Sequence, residues 1–573
     1  MTVLKTRWTH LLGPALALFT LVACDSDGSN DDDKDAKVEE DAEVEEDAEV
    51  EEDAEVEEDA GKQDAGKLDA GTDAGSDAGG DAGLDSGFAK ITSDLTYKTP
   101  LSAVGHDRYY GVTHDKNGNI FAVGQVASTL VTGTDTADYS VVLTKYLPSG
   151  ELDKTFGNQG VVSTNVVAAN LGPNREIARS VVIQSTGKIV VAATVPHAVP
   201  AADAGVEGND TDMALLRFNA DGSPDNSFGT NGIKILDVTT AFVYQPPTPP
   251  DAGTAPAPAL SAADTQGSLT LAADDKLVIF GSVLGQGMKA AEPTAPRTDS
   301  DFSLIRLTAN GEYDNTFNGN GRVALDIAEG GASARAATVL ANGSIIGTGY
   351  TSVAKVLDDT TTARQQPVLF KVKNDGTFDG DFAKTDKYTA TGVFYDFVTP
   401  KQTNAEAYGA VPQGDKFVTL GYGPQAPAPG NTTTDMIFAR FNADGSQDKT
   451  FGTEGTAYVD FGTYADNGRA LVVLDDKRLV GIGGGRAKPD VAPAAGTTPP
   501  VDGAIALLLP DGKPDTNYGT GGQKLYNVGG ATDFFWGGDL APDKKSVAVV
   551  GISGAAADAA GNDDAVLLIL KLQ

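Results

Sequence analysis

Residues 178–238 alternate between apolar runs and turn residues in a fixed order. "ARSVVIQSTG" (178–187) is an apolar stretch that ends in a turn. "KIVVAAT" (188–194) is a β-branched run, and "DMALLRFNADG" (212–222) is a second run ending at Asp-Gly. "SFGTNGIKILDV" (227–238) is a Gly turn followed by an alternating strand. Short β-rich runs punctuated by Gly and Asn/Asp predict antiparallel strands, here named a, b, c and d.

The pattern recurs along the chain. The a–b turn occurs seven times: "NGNIFAVG", "TGKIVVAA", "DDKLVIFG", "NGSIIGTG", "GDKFVTLG", "DKRLVGIG" and "KKSVAVVG". The c–d turn occurs six times, at 145–160, 217–232, 306–321, 371–386, 440–455 and 507–522. The chain stops inside its last c strand, "AVLLILKLQ". The missing d strand is expected at the other end, in "DSGFAKITSDLTYK" (85–98), where Asp85, Phe88 and Ala89 repeat the spacing of Asp225, Phe228 and Gly229. Pairing of 85–98 with the C-terminal strand closes a ring and removes the exposed edges of an open array. A closed ring of four-stranded units predicts an all-β fold, a seven-bladed β-propeller over 85–573.

The paired motifs, "DG-x-x-D-x-x-FG-x-x-G" and "DGKIVVAG"-like, resemble the delta-60 repeats of bacterial β-propellers. The resemblance covers about residues 85–573 and implies the fold without a defined activity. Blade four departs from it, because "DGDFAKTD" lacks the Gly.

Charge adds a second region. The formal net charge is −37, which argues against nucleic acid as a partner. Residues 25–85 hold 27 acids and 4 Lys, so −23 of the total lies there. The stretch is four hexapeptides of the "EVEEDA" type and then "DAG" repeats, with no core face. A disordered acidic tether over 24–84 is the expectation. Before it, Lys5, Arg7 and "LLGPALALFTLVA" read as an export signal over 1–23. "LVAC" (21–24) resembles a lipoprotein lipobox, which implies lipidation of Cys24, the single cysteine. A lipid-anchored envelope protein follows, with the membrane as partner through its anchor. The expected address is the outer membrane or cell surface rather than the inner membrane.

The c–d turn carries a chemical pattern. Arg217, Asn219, Asp221, Gly222 and Asp225 sit at offsets suggestive of a calcium loop. A cation at the first offset argues against a metal, so no cofactor is expected and calcium is the minor alternative. Pairing of that cation with the Asp eight residues on is the expected turn lock: Lys145 with Asp153, Arg217 with Asp225, Arg306 with Asp314, Lys371 with Asp379 and Arg440 with Asp448. Leu507 breaks the series, and the same logic joins Lys571 to Asp85 across the closure.

Functional chemistry is sparse. The three histidines after Cys24 are His106, His114 and His197, without ligand spacing, and no nucleophile or phosphate-loop motif occurs. No catalytic residue is expected. Aligning the a strands on their turns gives one channel-mouth position per blade: Tyr110, Arg179, Gly267, Arg335, Ala407, Arg469 and Gly537. Arg179, Arg335 and Arg469, with Tyr109, Tyr110 and Trp536 nearby, form a candidate site for an anion or acidic glycan. The alternative is that each Arg pairs with a loop Asp of its own blade. Three functional readings stay open. One is a binding module for an envelope protein or glycan, working through its irregular b–c and d–a loops. The second is a carbohydrate-active enzyme or lectin-like binder using the channel. The third is a passive surface protein.

Overall fold

In a computed structural model, Leu84–Gln573 forms one compact unit. The structure describes residues 90–102, 106–129, 138–167, 176–197, 211–239, 263–287, 289–290, 297–327, 329–353, 364–383, 393–395, 404–424, 433–462, 464–487, 499–529, 532–554 and 563–572. Cys24, the acidic stretch, Asp85, Phe88, Ala89 and most of the b–c and d–a loops lie outside these residues.

The described strands form seven four-stranded antiparallel sheets, so the chain is a seven-bladed β-propeller. The a strands are Arg108–His114, Ile177–Ile183, Thr265–Leu271, Gly331–Val339, Glu406–Gln413, Asn467–Val473 and Thr532–Leu540. Each touches the a strands of both neighbouring blades, and the last touches the first, so the a strands form a closed inner ring. The core lies between blades: Phe121, Val123 and Phe156 of blade one pack with Ala178, Val181 and Val191 of blade two.

Closure uses both chain ends. Ile91–Thr99 pairs antiparallel with Asp563–Leu572, Leu95 opposite Ile569 and Tyr97 opposite Leu567. The strand, Ile91–Thr99, ends one residue past the predicted segment, whose first described residue is Lys90. The Lys571–Asp85 pair falls outside the described residues at its Asp85 end.

Cations hold the c–d turns. Lys145 lies 2.8 Å from Asp153, Arg217 2.8 Å from Asp225, Arg306 2.8 Å from Asp314, Lys371 3.1 Å from Asp379 and Arg440 2.7 Å from Asp448. A second cation comes from the a–b turn in three blades: Lys188 on Asp225, Lys276 on Asp314 and Lys416 on Asp448. In blade six Leu507 removes the c-strand cation, and Arg478 of the a–b turn reaches Asp515 at 2.8 Å instead. Burial pushes the carboxyls of Asp225, Asp314 and Asp448 up, but hydrogen bonds from Ser227, Thr316 and Thr450 and the paired cations outweigh it. The three are held well below the usual carboxylate range.

The turns also join blades. Arg217 donates to the Ala309 carbonyl of the next blade at 2.8 Å, and Arg306 to that of Asn374 at 2.7 Å. Phe228 is fully buried, and its ring packs under Gly311 of blade three, where a Cβ would lie 2.6 Å from it. As far as Ala383, the last described residue of its turn, blade four follows the same path despite its missing Gly, because Ala383 takes φ 53, as Gly229 does.

Candidate functional site

Every a strand contains one β-bulge near its start. The register shifts between Tyr109 and Gly111, Ala178 and Ser180, Gln266 and Ser268, Ala334 and Ala336, Ala407 and Gly409, Gly468 and Ala470, and Phe535 and Gly537. The bulged residues are therefore Tyr110, Arg179, Gly267, Arg335, Tyr408, Arg469 and Trp536. A bulge re-aims its side chain, and these seven share one end of the inner ring.

The bulge also explains a recurrent glycine on strand b. A Cβ on Gly124 would lie 1.8 Å from the Arg108 carbonyl oxygen, and one on Gly421 1.8 Å from that of Glu406. Blade two accommodates Ala193 at the matching place.

Two of the predicted mouth positions need correction. Tyr408 replaces Ala407, and Trp536 replaces Gly537. The a–b turn sets the difference. Four residues after the bulge, the partners on strands a and b are six residues apart in most blades, as in His114 opposite Ile120. They are five apart in blade five (Pro412 opposite Phe417) and seven in blade seven (Leu540 opposite Val547). An alignment on turns slips by one residue in opposite directions at these two blades. Tyr109 is a third correction. It is fully buried, and its hydroxyl bonds Thr144 and meets the Tyr146 hydroxyl at 2.8 Å, so it belongs to the core.

The bulged side chains form a belt across six consecutive blades. The Arg179 guanidinium lies 5.3 Å from the Tyr110 ring. Tyr110 meets Trp536 edge-on with centroids 5.4 Å apart. Arg469 lies 4.9 Å from the Trp536 ring and 4.4 Å from that of Tyr408. Arg335 lies 4.7 Å from the other side of the run, again at Tyr408. The four Arg–ring spacings are in cation–π range, and the Tyr110–Trp536 pair is an edge-to-face aromatic contact. Gly267 of blade three interrupts the belt. Tyr350, Tyr422 and Phe534 add rings around Arg335 and Arg469; sequence reasoning missed them, and Tyr408, for want of any repeat signal. Arg335 pairs with Glu406 at 3.0 Å, a residue of the neighbouring blade and not a loop Asp of its own. Tyr422 donates to the same carboxylate at 2.6 Å.

Three residues before five of the bulges stands a buried acid: Asp107, Glu176, Asp264, Asp466 and Asp533. Each accepts backbone N–H groups from the residues after the preceding d strand. Asp264 takes those of Val238 and Thr239, and Glu176 those of Val166 and Val167. These acids fasten the blade junctions and hold the bulge in place. Burial pushes Glu176 up to about 7 and Asp264 up to about 6, aided by Asp138 and Asp212 respectively and opposed by the N–H donors. A carboxyl whose folded pKa is raised binds its proton more tightly in the folded state, so its contribution fades as pH rises from about 4.5 to 7. The lowered c–d aspartates act oppositely and are lost below about pH 4. The melting temperature is expected to peak near pH 4–5 and fall toward pH 8. The Glu176→Gln variant should show a shallower fall in the same scans; an unchanged slope would remove Glu176 from the account.

The family comparison agrees on the fold. Residues 201–228 and 429–451 match a family described as "Domain of unknown function (DUF5122) beta-propeller". Both segments run into c–d turns. No curated protein matches the sequence. Among solved structures, polysaccharide lyase Uly1 is similar at 12% identity over 83% of this chain and 92% of its own, with a TM-score of 0.42. The NanB sialidase from Streptococcus pneumoniae is similar at 8% identity over 84% and 70%, with a TM-score of 0.37. A PL25 ulvan lyase follows at 9% identity over 72% and 77%, with a TM-score of 0.32. The likeness to the DUF5122 β-propellers and the seven closed blades together identify a β-propeller repeat protein.

Proposed function

We propose that this protein is a lectin-like binding module that takes an anionic glycan at its central opening. One observation carries the reading: six of seven bulged residues make an unbroken run of guanidiniums and aromatic rings around that opening. The partly exposed Arg179 and Arg335 offer planar, weakly hydrated forks for carboxylate or sulfate, and Tyr408 and Trp536 offer faces for apolar sugar surfaces, while Tyr110 and Arg469, each 5% exposed, hold the run together. The belt lies at the end from which the b–c and d–a connections leave, so those loops would frame the ligand. Glu406 is engaged by Arg335 and Tyr422, which favours a holding role over acid–base chemistry. Lipidation at Cys24 and the acidic stretch 24–84 would present the propeller from a membrane in the cell envelope. Roughly 60 residues at about 5–6 Å × √n give a reach of about 40–45 Å.

The test is calorimetric titration with oligogalacturonate and with a sulfated oligosaccharide. The Arg179→Gln variant should bind about tenfold more weakly, the worth of one charge-assisted hydrogen bond. The R179A/R335A/R469A variant, checked by its melting temperature, should lose binding altogether. Full affinity in a folded triple variant would end this reading and move attention to the long loops.

A further inference from the structure

A second pattern recurs at the blade junctions. The acid near the start of strand c, the residue just after strand d and the residue three before the next bulge come together there. Between blades two and three these are Asp212, Asp237 and Asp264. Between three and four they are Asp301, Asp326 and Ala332. Between five and six they are Asp435, Asp460 and Asp466. Between six and seven they are Asp502, Asn527 and Asp533.

Three of these junctions resolve the crowding of charge with a side chain. His197 meets Asp212 at 3.0 Å. Arg297 donates to Asp299, Asp301 and Asp326 at once, reaching Asp326 at 2.9 Å. Asn527 replaces a carboxylate and donates to Asp502 at 3.0 Å.

The junction of blades five and six has no such device among the described residues. Ligand oxygens of Asp435, Asp460 and Asp466 all lie within 4.8 Å of one another. Asp466 accepts the Phe461 N–H at 2.8 Å and the Arg486 N–H at 3.2 Å, and Asp460 accepts the Gly462 N–H at 2.8 Å. Asp435 is 1% exposed, and its Oδ2, inside the protein, has no hydrogen-bond partner. The Arg486 guanidinium turns to the carbonyls of Pro499 and Ala465 instead. Of the undescribed neighbours, 425–432 and Thr463 contain no Lys, Arg or His, and 488–498 contains one cation, Lys488.

We propose that Asp435, Asp460 and Asp466 bind a calcium ion, in the role that the Arg297 guanidinium plays two junctions earlier. Three carboxylates supply hard oxygen donors, and Ca²⁺ tolerates the irregular, high coordination that a junction of this kind allows. The ion would rivet blade five to blade six three residues before Arg469. It is separate from the c–d turns, whose aspartates are already engaged by Arg and Lys.

The experiment is thermal unfolding of the full chain after chelation, with added CaCl₂ or MgCl₂. Only ions that bind the folded state in preference to the unfolded one raise the melting temperature. Calcium at about 100-fold over its Kd should raise it by about 2–3 °C for a unit of this size. Asp460→Asn copies the residue that blade six uses, Asn527, and should fold. It should abolish the calcium response and raise the melting temperature of the chelated protein. Asp237→Asn, at the junction that contains His197, should leave the response intact. No calcium response in the parent protein overturns the proposal, as does a response to magnesium alone or a full response in the Asp460→Asn variant.

Discussion

Deleting residues 85–99 is expected to destabilise the propeller by more than about 5 kcal/mol and to drive the protein into aggregates. The segment supplies the outermost strand of blade seven. Without it the Asp563–Leu572 strand becomes an edge, and its run from Ala565 to Leu570 is at most 1% exposed at every residue in the closed ring. An apolar, unpaired edge is a template for pairing between molecules. The strand is also fixed sideways. The Thr99 hydroxyl meets that of Tyr146 at 2.7 Å, and the Tyr97 hydroxyl donates to the Ser149 carbonyl at 2.6 Å in blade one. Tyr526 of blade six donates to Asp94 at 2.9 Å. Each large apolar side chain withdrawn from water contributes about 1.5–3 kcal/mol, and total stabilities run to about 5–15 kcal/mol. Thermal unfolding with light-scattering detection would read the effect. A deletion variant that melts as a soluble monomer at the parent temperature would sink the closure account.

Replacing Arg478 with Ala should cost about 3–5 kcal/mol, the usual result of stranding one half of a buried ion pair. Arg478 and Asp515 are both 2% exposed, and Leu507 stands where blades two, three and five carry Arg217, Arg306 and Arg440. Blade six has thus moved its cation from strand c to the a–b turn. The exchange suggests its own rescue. In the R478A/L507R double variant the new guanidinium starts eight residues before Asp515, the spacing that seats Arg440 on Asp448 at 2.7 Å. Most of the lost stability should return, measured as denaturant midpoints at constant slope. A double variant no more stable than R478A alone would mean that the two positions are not interchangeable sources of charge.

The turn pairs were legible because each is local, eight residues apart on one hairpin and repeated. The helper cations Lys188, Lys276 and Lys416 were not, because they arrive from another turn of the same blade. The mouth positions were legible in five blades. Blades five and seven failed because a turn one residue shorter or longer shifts the register without changing the motif that marks it. The belt as a contact network was not legible at all: Tyr350, Tyr422 and Phe534 fit the strand pattern as ordinary half-buried residues. The junction acids Glu176, Asp264 and Asp466 lie at a constant three residues before the bulge, a signal that emerges once the bulges are known.

What the sequence by itself determined is the repeat and its closure. Alternating apolar runs and Gly/Asn turns dictate hairpins, seven a–b turns count the blades, and an unmatched strand at each end can pair only with the other. Those are local rules applied seven times, plus one rule about edges. The tertiary structure decided which side chains meet across blades. It set Arg469 between Trp536 and Tyr408, and it left Asp435, Asp460 and Asp466 together where other junctions place Arg297, His197 or Asn527. Neighbours on adjacent blades are tens of residues apart in the chain. Their spacing is fixed by the packing of one sheet on the next, which no single repeat encodes.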